Sequence, residues 1–198
     1  GGFQRLRGRV ASEEALRALL LIISTIPVVI FGVILKLTGL AEAMRSIEVI
    51  GWTMLGFGVV LYWADRTGRE EKTAGQWLMK DARIMGLWQA LALIPGTSRS
   101  GATITAARFL GYTREDGAKL AMLMSIPTII ASGVVISLDI PSGSPGLLRD
   151  ASIAAGLALL SALLALALMM RLLASVSFTP YVIYRVILGI VLLVIAYT

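Results

Sequence analysis

The sequence contains neither histidine nor cysteine. Without histidine these residues hold no imidazole base, no Ser-His-Asp triad and no histidine metal ligand. Without cysteine they hold no disulfide, no thiolate nucleophile and no iron–sulfur site, and the redox compartment is unreadable. Charge is scarce as well. Asp, Glu, Lys and Arg make up 15% of the 198 residues, against about 25% in a soluble domain. Apolar residues reach 57% and mean hydropathy is +0.84. Too few polar residues remain to coat one water-soluble core. Disorder, collagen, coiled coil and disulfide scaffold are excluded by the same figures. The class left is an all-α, polytopic integral membrane bundle. At about 20 residues per spanning helix, the length suffices for five or six spans with short loops.

The formal net charge is +6. In a membrane chain this excess speaks first to topology, not to nucleic acid. Apolar runs place spans at about 18–35, 49–64, 120–138, 151–170 and 181–198 of a single transmembrane domain, 1–198, the last carrying Arg185 near its start. A polar tail covers 1–17, a mixed-charge loop 65–83 and a polar loop 108–119, while turn-forming residues fill 139–150. Four Lys/Arg in the tail and five in loop 65–83, against two in 36–48 and one in 139–150, put the tail, 65–83 and 108–119 on the cytoplasmic side. Loop 65–83 reads as solvated. Trp63, Trp77 and Trp88 read as interfacial belt residues, and Arg185 as an interfacial anchor or snorkelling side chain.

The segment 84–107 differs from the spans. It carries one charge, Arg99, and its middle reads Pro95-Gly-Thr-Ser-Arg-Ser-Gly101. Proline and glycine disfavour a helix interior by about 3 and about 1 kcal/mol relative to alanine. Each half is too short to cross about 30 Å of hydrocarbon at about 1.5 Å per residue. A re-entrant hairpin with an irregular polar tip is the economical reading, since such a tip survives only inside protein or beside a watery cavity. Its two ends then lie on one side, as the charge counts require.

An ionisable residue at membrane depth is a functional candidate by default. Arg99 has Thr97, Ser98, Ser100 and Thr103 beside it, and Gly96 and Gly101 permit close backbone approach. A guanidinium fork with clustered N–H groups at a turn and a helix start describes an anion site, phosphate above all. A ligand with a phosphate head and a long hydrocarbon tail needs such a site at such a depth. The competing reading pairs Arg99 with helix-end carbonyls and gives the small residues to packing. Gln89, in the ascending half, either bonds the same ligand or joins two helices. The Gly96–Gly101 spacing imitates a P-loop, but Ala102 stands where lysine is required. No Asp or Glu lies within 84–107 to ligate a metal.

An internal repeat is also visible. Ser24-Thr-Ile-Pro27-Val-Val-Ile-Phe-Gly32 matches Ser125-Ile-Pro127-Thr-Ile-Ile-Ala-Ser-Gly133 in kind, each within an apolar span followed by a loop and a second span. The charge counts make the two copies parallel. Arg99 precedes Pro127 by 28 residues, so the equivalent of its hairpin for Pro27 would fall before residue 1. The chain also starts Gly1-Gly2-Phe3 without methionine, and the expectation is a chain lacking an N-terminal hairpin.

These residues carry a resemblance. Gly86-Leu-Trp-Gln-Ala-Leu-Ala-Leu-Ile-Pro-Gly-Thr-Ser-Arg-Ser-Gly-Ala-Thr-Ile104 is similar to the second signature of the bacterial undecaprenyl-pyrophosphate phosphatase family, the bacitracin-resistance type. Ile26-Pro27, Ile126-Pro127 and Phe178-Thr-Pro-Tyr-Val-Ile-Tyr-Arg185 extend the likeness along the chain. The resemblance implies hydrolysis of undecaprenyl diphosphate to the monophosphate in peptidoglycan precursor recycling. It implies a multi-pass location in the bacterial plasma (inner) membrane, a polyprenyl diphosphate lipid substrate, and inverted repeats that each supply a hairpin. By motif match Arg99 and Ser98 would be catalytic. Thr97, Ser100, Gly96, Gly101, Thr103 and Gln89 would bind substrate. A divalent cation, Mg²⁺ or Ca²⁺, is implied, with ligands mostly outside this chain, and a homodimer is compatible. The family's Glu-rich Ser/Gly/His signature is absent from these residues, so the chain by itself is expected to hydrolyse little. The other readings are a membrane transporter or lipid flippase with a broken-helix midplane site, and a non-catalytic membrane scaffold.

Overall fold

The computed structural model describes residues 2–138, 147–173 and 176–198. It is all helix apart from short connections. In chain order the α-helices are α1 (Gly2–Thr38), α2 (Leu40–Ala43), α3 (Ile47–Thr67), α4 (Met79–Leu91), α5 (Arg99–Phe109), α6 (Arg114–Leu138), α7 (Leu147–Leu173) and α8 (Thr179–Tyr197). Five stretches are long and apolar enough to cross a membrane: Glu13–Thr38, Ile47–Thr67, Arg114–Val134, Arg149–Arg171 and Thr179–Tyr197. This is an all-α polytopic membrane bundle. The helices overrun the apolar runs at most ends, because Arg, Glu and Ala are good helix formers that carry the coil into the interface. The polar tail is therefore helical from Gly2 and continuous with the first span. The expected turn at 139–150 lies largely outside the described residues.

The pair α4–α5 occupies the place of the expected hairpin, with bounds 79–109 in place of 84–107. At 13 and 11 residues the two helices rise about 20 and about 16 Å, short of a crossing. They are joined by the irregular segment 92–98. The composition of α5 is inverted relative to its surroundings. It is rich in Thr, Ala and Gly, yet every residue from Gly101 to Arg108 is buried. The Leu- and Ile-rich helices stand around it with large apolar side chains exposed, as befits a lipid solvent. Two apolar clusters flank α5. One joins Leu20, Met85, Ala106, Leu120 and Met124, and the other joins Leu61, Ile104, Ala121, Phe178 and Val182.

The register of contacts fixes helix directions. Gly86 faces Ser24, and Gly32 approaches Leu93, so α1 and α4 run together. Gly117 meets Ala107 and Ser125 meets Arg99, so α5 opposes α6. The helices α1 and α6, which carry Pro27 and Pro127 within them, thus point the same way. The parallel reading from the charge counts agrees, and the inversion implied by the resemblance does not relate these two helices. α3 and α8 approach most closely where small residues cross. A Cβ on Gly51 would lie 2.7 Å from the Leu193 side chain, and one on Gly189 would lie 3.1 Å from the Gly51 carbonyl.

Most of the mixed-charge loop is exposed, as its sequence suggests, including Arg66, Arg69, Glu70, Glu71, Lys80 and Arg83, but part of it turns inward. Asp65, Asp81 and Trp77 are buried, and Trp77 joins the core instead of a belt. Nor is Arg108 in a polar loop, since it is buried inside α5. It donates to the carbonyls of Tyr112 (2.6 Å), Asp65 (3.1 Å) and Gly68 (2.9 Å). The Asp65 carboxylate receives Arg114 Nε at 2.7 Å and the Phe178 N–H at 3.3 Å, with Arg108 Nε 3.4 Å away. Charges of opposite sign from three helices, α3, α5 and α6, meet across the fold. Thr113 accepts from the Asp116 N–H and starts α6, leaving only a short turn between α5 and α6.

Tyr112 closes the hairpin base beneath Lys72 and Asp81. Its hydroxyl donates to Asp81 Oδ2 at 2.6 Å, and Lys72 Nζ lies 3.1 Å from the same oxygen. Burial, then the Asp81 hydrogen bond and charge, raise the Tyr112 pKa far above its ordinary value. A phenol whose folded pKa exceeds its unfolded value of about 10 contributes stability that is whole below that pH and lost as pH climbs toward the folded value. Tyr112 is therefore expected to stay un-ionised in folded protein well above pH ~10 and to ionise only with alkaline unfolding. Ultraviolet difference titration of the protein against Tyr112→Phe checks this. A Tyr112 phenolate appearing near pH ~10 without loss of helix contradicts it.

Candidate active site at the hairpin tip

The tip is built from residues that leave the helical region. Gly96 has φ +89°, and a Cβ there would fall on Thr53 Oγ1 and lie 2.6 Å from the Ile50 carbonyl. Only glycine allows α3 to press this closely, and Thr53 Oγ1 donates to the Pro95 carbonyl at 2.5 Å. Ser98 is the one positive-φ residue other than glycine among those described, at φ 68°. A non-glycine residue held there is strained by about 1–3 kcal/mol and points to function. Its hydroxyl accepts from the Gly101 N–H at 3.2 Å and so caps α5. Arg99 is the first residue of α5, beside the partial positive charge of that helix start.

Arg99 reaches away from Ser98, toward α6. Among the described residues its guanidinium makes one hydrogen bond, Nη1 to the Ser125 carbonyl at 3.2 Å. The helix-end carbonyl expected by the competing reading is therefore present, yet most of the fork stays available. Arg99 lines a cavity of about 370 Å³ between α1, α4 and α6, with Gln89, Thr128 and Ser132 as polar neighbours and Val28, Val33, Leu93 and Ala131 among the apolar walls. Gln89 is wholly buried. Its Nε2 donates to Thr128 Oγ1 at 3.0 Å, while its Oε1 has no partner. It joins two helices and also presents an unsatisfied atom beside the cavity.

The remaining expected site residues fall on the other flank of the tip. The hydroxyls of Ser98 and Ser100 stand 3.4 Å apart. Gly101 lies against Ser98 and Arg185. Thr97 is buried with an unpartnered Oγ1. Thr103 turns its hydroxyl back onto the carbonyls of Arg99 (3.0 Å) and Ser100 (3.1 Å), within its own helix. The structure thus groups Arg99 with Gln89 and groups Ser98 with Ser100 and Gly101. The start of α5 lies between the two groups.

Two contributors were not found from sequence. Arg185 is not an interfacial anchor, because it is 3% exposed. Its Nη2 donates to the carbonyls of Gly96 (2.8 Å) and Thr97 (2.9 Å), and its Nη1 to Tyr181 Oη at 3.3 Å. Tyr181 Oη in turn lies 3.0 Å from Ser98 Oγ. The available signal was an arginine inside an apolar helix with a tyrosine four residues earlier, hence on the same face. Thr128 is the other, one residue after Pro127 in the motif that suggested a repeat.

The donor set was weighed against a bound cation. Among the described residues no three His, Cys, Asp or Glu gather where they could hold a metal ion. The cavity lining offers amide, hydroxyl, guanidinium and ammonium groups, all suited to an anion. These residues alone do not fit a Mg²⁺ or Ca²⁺ site.

With this geometry in view, comparison with known proteins is specific. The family model for bacitracin resistance protein BacA matches residues 1–191. A Roseobacter denitrificans protein named undecaprenyl-diphosphatase is 66% identical, across all of this chain and 74% of its own length. A Jannaschia protein of the same name is 64% identical over 97% of this chain and 72% of its own. A more distant namesake, from Maricaulis maris, is 42% identical over 98% of this chain and 74% of its own. Matches of that extent leave no segment of the bundle unaccounted for: the chain belongs to the bacitracin resistance protein BacA family.

Proposed function

We propose that this chain acts as an undecaprenyl-diphosphatase, hydrolysing the diphosphate of a polyprenyl lipid to monophosphate and phosphate in the bacterial plasma membrane. The carrying observation is Arg99 at the start of α5, in a hairpin too short to cross the membrane, with most of its guanidinium unengaged. Family membership and the names of the relatives support the same activity. In this reading the fork of Arg99 grips the diphosphate oxygens, and the first N–H groups of α5 face the charge that develops at phosphorus. Gln89 and Thr128 align the head group from the cavity side. Val28, Val33, Leu93 and Ala131 offer an apolar wall to the first isoprenyl unit. A divalent cation would add charge neutralisation at the diphosphate, but the described residues do not form its site.

Neither a carboxylate nor an imidazole stands among the cavity-lining residues. General acid–base help is worth about 10²–10⁴ in rate. The chain by itself, reconstituted in liposomes, is therefore expected to release phosphate from undecaprenyl diphosphate at least about 100-fold more slowly than the same chain joined to the quarter of the Roseobacter relative that it does not span. Lipid translocation without phosphate release in both proteins would overturn the phosphatase reading in favour of a transporter.

A further inference from the structure

Polarity along the α8 side of the tip starts from a cation that can only donate. Arg185 Nη1 therefore gives its hydrogen to Tyr181 Oη, 3.3 Å away. The Tyr181 hydroxyl hydrogen is then free for Ser98 Oγ at 3.0 Å. Ser98 Oγ already accepts the Gly101 N–H at 3.2 Å. When Tyr181 donates, both Ser98 lone pairs are engaged, and Ser98 has one group left to offer, its own hydrogen. The Ser100 hydroxyl, 3.4 Å away, is the resting acceptor of that hydrogen, and an anion at the start of α5 is a better one.

We propose that Tyr181 and Arg185 are positioning residues that hold Ser98 as a hydrogen-bond donor to a phosphate oxygen and not as the group that attacks phosphorus. This rests on the phosphatase reading above. Three features converge on it. Ser98 is kept at φ 68°, where serine is strained. The backbone on its N-terminal side is pinned, because Arg185 Nη2 bridges the Gly96 and Thr97 carbonyls. A nucleophilic serine needs a neighbouring base to take its proton, whereas here the chain of hydrogens runs toward Ser98 from a permanent cation. The segment thus fixes the Oγ position and the direction in which its hydrogen points.

The test is a double-mutant cycle on steady-state phosphate release in proteoliposomes by the chain joined to the quarter of the Roseobacter relative that it does not span, with rapid-quench analysis for phosphoenzyme. Tyr181→Phe removes the hydroxyl and keeps the ring, so it is expected to fold. It should lower kcat about tenfold with KM changed less than about twofold, as for an interaction made in the transition state. Ser98→Ala should cost about 100–1,000-fold, the value of a lost oxyanion-type donor. In the Ser98→Ala background Tyr181→Phe should cost nothing more, because its target is gone. Arg185→Lys, a point charge that cannot serve two carbonyls and a phenol at once, should follow Tyr181→Phe in its kcat effect. Independent multiplication of the Tyr181 and Ser98 effects would overturn the proposal, as would a phosphoserine trapped at residue 98. An unsubstituted protein that releases no phosphate would overturn the function reading along with it. Active unsubstituted protein with fully active Tyr181→Phe would overturn this proposal alone.

Discussion

Arg99→Ala is expected to lower kcat/KM for polyprenyl diphosphate about a thousandfold, equivalent to about 4 kcal/mol of transition-state stabilisation. The magnitude follows from place. Arg99 is half-buried at the start of α5, in a helix pair walled by protein, where an electrostatic contact is worth more than in water. It is also the only charge that sequence segment 84–107 offers to an anion. Arg99→Lys keeps the charge but loses the planar fork, and about a hundredfold loss is expected. Both variants should keep their helix content and thermal stability, since the resting guanidinium holds a single carbonyl. Phosphate-release kinetics paired with thermal unfolding in detergent decide the matter. A loss of activity matched by a loss of stability would reassign Arg99 to the helix-end role that its bond to Ser125 allows.

Arg108 is the converse case. Its removal should damage the fold far more than any direct contact with a ligand. Arg108→Ala strips the Tyr112 and Gly68 carbonyls of a donor and leaves the buried Asp65 with Arg114 as its remaining ionic partner. Breaking one side of a buried ionic set costs about 3–5 kcal/mol. Arg114, 30% exposed on its side chain, should cost only about 1 kcal/mol when truncated. Thermal midpoints measured side by side in one detergent check the ranking, with Arg108→Ala well below Arg114→Ala. Arg108→Lys should resemble the alanine variant, since an ammonium on a flexible stem cannot serve three carbonyls spread over the base. Equal midpoints for Arg108→Ala and Arg114→Ala would mean that the base of the hairpin is held by its apolar contacts instead.

The legible features were those imposed locally. A bilayer demands some twenty apolar residues per crossing, and the runs around 49–64 and 151–170 met that demand whatever lay elsewhere in the fold. Pro95 and Gly96 interrupt a helix by their own backbone chemistry, so the break beside Arg99 could be read without a partner in sight. Directions of helices also followed, because Lys and Arg counts act loop by loop. The burial of Asp65 and Asp81 was not legible. Asp65 is satisfied by Arg114 and by the backbone of Phe178, 49 and 113 residues away, and a loop of mixed sign looks solvated until those partners arrive. Arg185 failed for the same reason, since its acceptors Gly96 and Thr97 lie 89 and 88 positions back. Thr103 failed in the opposite sense. Its place beside Arg99 suggested a ligand contact, yet a threonine in a helix finds its own preceding turn first.

The clamp on the Gly96 and Thr97 carbonyls has a consequence in time. Those two carbonyls leave the ribosome long before the arginine that will satisfy them, with two membrane-length helices made in between. Until α8 inserts, the tip holds polar backbone with no donor in the bilayer interior, where each such group costs several kcal/mol. The hairpin therefore reaches its working shape only when α8 arrives. The tip thus waits on a helix far downstream of the motif that it completes.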